Sequence, residues 1–115
     1  MSDLPKPPAA FVRFTERFPE LAAAWERASA AGREGPLSSR EARLAKLALA
    51  MGAQREGAVR SAARKALADG VPREALEQVA AMAASTLGFP AAVAAFSWIE
   101  QAASQMERSS SPEKD

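Results

Sequence analysis

Alanine fills 29 of the 115 positions, while residues that favour strands are scarce: one Ile, five Val, two Thr and no Tyr. Alanine is the strongest intrinsic helix former, and strands draw on the β-branched and aromatic side chains that this chain lacks. An all-α fold is therefore expected. The same composition limits the core. Leu, Ile, Val and Phe together supply 20 residues. A chain of this length folding alone buries only about 65% of its surface, and alanine contributes little area at about 25 cal/mol per Å². The missing burial is expected to come from partner subunits.

Several chemistries are excluded by residue type. With no cysteine and no histidine in the chain, disulfides, thiolate nucleophiles and Cys-based metal sites are ruled out, as is the commonest general base and metal ligand. No metal and no cofactor is expected. No stretch reaches the ~18 uninterrupted apolar residues of a membrane span. The segment Met1–Pro8 holds three prolines and no apolar run of signal-peptide length. A cytoplasmic location away from membranes is the expectation.

Punctuation by proline, glycine and capping residues divides the chain into six helices. The first runs from about Pro8 to Arg17, ended by Phe18-Pro19 because the residue before proline disfavours the helical region. Pro19 opens the second, to about Ala31, with Leu21, Ala24, Trp25 and Ala28 expected inward. Ser38 and Glu41 form a capping box for a third helix, whose Leu44, Leu47, Ala48 and Met51 mark a buried face and which ends near Gly52. The fourth, about Arg55 to Asp69, is expected to bury Val59, Ala62, Ala63, Ala66 and Leu67, with Gly70 as a left-handed cap. Pro72 starts the fifth, with Leu76, Val79, Ala80, Ala83 and Leu87 inward and Gly88 as its stop, and Phe89-Pro90 begins a last helix carrying Ala92, Phe96, Ile99 and Ala103. Residues 1–36 thus form a lead-in with two short helices, 37–107 a helical core, and 108–115 a polar tail expected to be disordered.

The net charge of +1 conceals an uneven spread. Residues 38–65 carry seven basic side chains (Arg40, Arg43, Lys46, Arg55, Arg60, Arg64, Lys65) against Glu41 and Glu56, whereas 66–115 carry three basic against seven acidic. Such a split favours attraction between subunits as readily as it favours a ligand.

Three segments carry a resemblance: Leu37 through Leu44-Ala45-Lys46-Leu47-Ala48, then Ala66-Leu67-Ala68-Asp69-Gly70-Val71, then Gly88-Phe89-Pro90-Ala91-Ala92. Phe18-Pro19-Glu20-Leu21 followed by Trp25 adds a matching lead-in. Together they resemble the carboxymuconolactone decarboxylase and AhpD-like alkylhydroperoxidase superfamily. The resemblance implies an AhpD-like all-α bundle that assembles as a homo-oligomer, a trimer or hexamer. It also implies where the family's chemistry would sit. The attacking and resolving cysteines fall on Arg55 and Ala58, the relay histidine on Ala62 and the relay glutamate on Arg43. All four are replaced, so the thiol redox cycle cannot run on this chain alone. The decarboxylase branch lacks the cysteines and keeps the histidine. Arg55-Glu56 and Arg64 agree with its pattern, and Ala62 breaks it.

Arg43 and Arg55 are the most informative replacements. If the family's fold places both at the mouth of its pocket, two guanidinium groups there suit a small carboxylate or phosphate. Ala58 and Ala62 would then line a partly apolar cavity, and the candidate ligand-binding set is Arg43, Arg55, Ala58 and Ala62. Alternatively both arginines face solvent or pair with a neighbouring subunit. Glu56 is the candidate catalytic acid, against a plain helix-surface pair with Arg60 four residues on. Arg60, Arg64 and Lys65 share a polar side without interleaved aromatic residues, so no nucleic-acid partner is expected. Trp25, Phe89, Phe96 and Trp98 are expected to pack in the core. Two functions stay open. One is a divergent binder of a small anionic organic molecule, with decarboxylase- or isomerase-type activity as its catalytic form. The other is a non-catalytic helical homo-oligomer serving assembly or protein interaction.

Overall fold

The computed structural model describes residues 9–110. They form six helices: α1 (Ala9–Arg17), α2 (Pro19–Arg33), α3 (Ser39–Gly52), α4 (Glu56–Ala68), α5 (Arg73–Leu87) and α6 (Phe89–Ser110). No strand occurs among the described residues. The proline-rich lead-in before Ala9 and the tail beyond Ser110 lie outside them. Helix α6 itself runs through Arg108, Ser109 and Ser110, into the segment expected to be disordered.

The caps are local and legible. Ser38 Oγ accepts from the Glu41 amide at 3.0 Å while the Glu41 carboxylate accepts from the Ser38 amide at 2.8 Å, completing the capping box that starts α3. Pro19 opens α2 from its first turn. Helix α4 ends in a Schellman turn: Gly70, at φ 88°, donates to Leu67 O and Val71 donates to Ala66 O, both at 3.0 Å. Helix α5 stops at Gly88, whose φ of 104° is a conformation that side chains rarely adopt.

Helix α3 ends at Gly52 as expected, but the left-handed residue after it is Gln54, at φ 55°. Gln54 donates to Met51 O and Arg55 to Ala50 O, so a non-glycine residue occupies the position usually reserved for glycine.

Four helices make the core. Each of α4 and α5 packs against both α3 and α6, closing a ring around Leu47, Met51, Val59, Leu76 and Ile99, with alanines filling the close approaches. Leu47 and Met51 on α3, and Val59, Ala63 and Ala66 on α4, are buried as expected, with Leu44, Ala62 and Leu67 half-buried beside them. Ala48 is exposed, contrary to the expected stripe. Trp98 packs against the core from its edge.

Helices α1 and α2 pair with each other and contribute no buried residue. Phe11 meets Trp25 edge-on at 5.8 Å, and Phe14 lies beside Phe18 at 5.3 Å. The expected inward face of α2 is therefore corrected, since Leu21 and Trp25 both keep about half their surface exposed (52% and 50%). Phe89 and Phe96 are corrected likewise. Helix α6 turns Ala92, Ala95, Ile99, Ala102 and Ala103 inward and presents Phe89, Val93 and Phe96 to solvent. Its apolar arc is wider than the face one neighbouring layer can cover, and the interior took the small residues.

Candidate functional site

The candidate positions lie on two neighbouring helices, Arg43 on α3 and Arg55, Glu56, Ala58 and Ala62 at or in the first half of α4. Arg55 is the N-cap residue of α4, exposed and without a side-chain cap; Ala58 and Ala62 follow on the same face, both half-buried. A thiol at this helix start would be activated by the unsatisfied amides and the positive end of the dipole. A guanidinium gains nothing from that field.

Arg43 does not join Arg55. Its Nε donates to Asp69 Oδ2 at 2.6 Å, at the C-cap of α4, with both side chains about one-third exposed. The 13 residues of α4 separate Arg55 from Asp69, about 20 Å at the helical rise. Asp69 and Arg55 mark opposite ends of α4. The shared two-arginine mouth is thus corrected. Asp69 sits at the negative end of the α4 dipole, where a carboxylate is disfavoured and a neutralising cation is favoured. That is the physical reason Arg43 turns toward it.

A different cluster forms around Lys65. Lys65, half-buried in the last turn of α4, has its pKa held below the usual lysine range, first by burial and then by the positive charges of Arg43, Lys46 and Arg64. Its ammonium lies 5.9 Å from the centre of the Trp25 ring, a contact between α4 and α2. Asp69 is the one carboxylate paired with this group among the described residues. No hydrogen bond among them engages the terminal nitrogens of Arg43. Lys46, Asp69 and Trp25 were not among the candidate residues. The spacing of Arg43 and Lys46, three apart on one helix, was the available signal.

Glu56 is exposed and ion-paired with Arg60, which also donates to Gln101 Oε1 at 3.2 Å and so links α4 to α6. Burial of the kind that tunes a catalytic acid is absent at this position. A shallow polar groove of about 490 Å³ lies elsewhere, along α5 and α6, lined by Arg73, Ser97, Glu100, Gln101, Ser104 and Arg108.

Comparison with known proteins places a family model across most of these elements: the carboxymuconolactone decarboxylase family matches residues 19–101, from the start of α2 into α6. No match is found among curated proteins or among solved structures.

Proposed function

Because the chain belongs to the carboxymuconolactone decarboxylase family, we propose that it uses this family's helical scaffold to bind a small anionic organic molecule, without thiol-based peroxide chemistry. The observation that carries the reading is the cationic cluster of Arg43, Lys46, Arg64 and Lys65, answered by Asp69 alone among the described residues. Cations held near one another gain when an anion enters, and the terminal nitrogens of Arg43, which make no hydrogen bond among the described residues, suit a carboxylate or phosphate fork. The ligand site is accordingly centred on Arg43 and Lys65, with Arg55 left at the far end of α4. Binding is favoured over decarboxylase- or isomerase-type catalysis because such proton transfer needs a positioned acid or base. Ala62 occupies the place of the family's histidine, and Glu56 is exposed.

A thermal-shift panel of acetate, benzoate and inorganic phosphate tests this. At least one compound is expected to raise the melting temperature of the wild type and to lose that effect in the Arg43→Ala, Lys65→Met double variant. Equal shifts in both proteins, or none in either, would overturn the reading.

The second reading, a helical homo-oligomer serving assembly, is favoured by a separate observation: Phe14, Leu21, Trp25, Phe89 and Val93 each expose half or more of their surface. The two readings draw on different helices for their main groups, the cationic cluster on α3 and α4 and the Phe89–Val93 stripe on α6.

A further inference from the structure

Lys65 carries a nucleophilic atom that simple anion binding leaves idle. It lies in the last turn of α4, half-buried, with its nitrogen over the Trp25 ring. A lysine ordinarily extends an apolar stem and keeps its ammonium in water. Here the side chain makes no ion pair and no hydrogen bond among the described residues. Asp69 stands four residues on along α4, at the spacing of helical neighbours, but Arg43 engages its carboxylate at 2.6 Å. Arg43, Lys46 and Arg64 add further positive charge around the amine. Burial and this crowding both favour the uncharged amine, the form that attacks a carbonyl carbon. Arg43, bound at Asp69, and Lys65 thus flank one turn of α4. Neighbours on such a turn are about 5–6 Å apart, a spacing that a two- or three-carbon acid can bridge.

We propose that Lys65 is a nucleophilic amine that captures small 2-oxo acids as imines, with the acid's carboxylate held by the terminal nitrogens of Arg43. Resting on the anion-binding reading above, the inference adds the substrate class and the bond it forms. The Lys65 ammonium first gives a proton to water. The lone pair of the neutral amine then attacks the carbonyl carbon, so that a C–N bond forms while the carbonyl π bond breaks. The former carbonyl oxygen leaves as water, taking both amine hydrogens, and a C=N bond remains. No electrons are gained or lost overall. The same crowding that frees the amine favours the product, because a neutral imine removes one positive charge from the cluster and the carboxylate brings in a negative one. Arg43 supplies the matching fork, since its Nε is taken by Asp69 and its terminal nitrogens make no hydrogen bond among the described residues.

Reductive trapping tests the proposal. Pyruvate and sodium cyanoborohydride, which reduces an imine to a stable secondary amine, are added to the full chain, and adducts are located by peptide mass mapping. Lys6, Lys46 and Lys114 serve as controls within the same molecule. The adduct is expected to concentrate on Lys65, to fall when acetate is present in excess, and to be lost from this peptide in Lys65→Met. The comparison among lysines is made in the wild type, so it stands even where a variant fails to fold. Arg43→Ala, checked for unchanged helix content by circular dichroism, should slow labelling by pyruvate more than labelling by acetone, which has no carboxylate. A role for Arg43 through charge or structure alone would slow the two alike. Even labelling of all four lysines, or equal slowing of the two carbonyl compounds, would overturn the proposal. Anion binding would still stand if acetate or phosphate raised the melting temperature. No selective labelling together with no thermal shift would overturn both.

Discussion

At the scale of single residues, Lys65 has the most readable energetics. Burial and three neighbouring cations disfavour its charged form in the folded chain. The folded pKa lies below the unfolded value near 10.5, so between the two the unfolded chain binds more protons and stability rises with pH. The penalty is fully present below the folded pKa and is relieved as pH climbs toward 10.5. Lys65→Met is therefore expected to raise the melting temperature at neutral pH, with the advantage shrinking over that alkaline window. Thermal unfolding at a series of pH values checks this, and an advantage that grows with pH would contradict it. The site residues also show how far a linear sequence reaches. Punctuation along the chain put Arg43 on α3 and Ala58 and Ala62 on α4, as the structure has them, and Arg55 at the start of α4, where it is the N-cap. It could not give the direction in which a long flexible guanidinium turns, because that was decided by Asp69, 26 positions away and fixed at a helix end.

Among elements, helix boundaries were legible wherever a residue's backbone chemistry leaves one option. Ser38 with Glu41, Gly70 and Gly88 each stop or start a helix where their side chains, or lack of one, dictate. Gln54 was illegible because Gly52, two positions earlier, offers the stronger signal; the helix does end at Gly52, but the left-handed turn falls on Gln54. The left-handed conformation costs a non-glycine residue about 1 kcal/mol or more. A Cβ at the replaced position is the strained group, so Gln54→Gly should stabilise the fold by about 0.5–1 kcal/mol. Chemical denaturation would register this as a higher midpoint at unchanged slope. Helix α6 illustrates the opposite limit. Its apolar residues cover so much of the circumference that periodicity identifies a helix without saying which half faces the core. Packing against α4 and α5 selected the alanine-rich half because small side chains let the helices approach.

For the molecule as a whole, the fold class followed from composition and the number and order of helices from the punctuation. The balance of buried and exposed surface did not, since it depends on which chains are present. The absence of cysteine and of a histidine relay predicts that a peroxide assay with an external dithiol will show no turnover above the uncatalysed rate. Measurable enzymatic turnover would mean that a different set of residues performs the chemistry. The unburied hairpin has a consequence for folding order. The four-helix ring can close by its own contacts, whereas α1 and α2 draw most of their burial from outside it. In the assembly proposed above, dilution becomes a structural variable: proteases should cut first between Arg33 and Ser38 in scarce protein, and that nick should fade as copies crowd together.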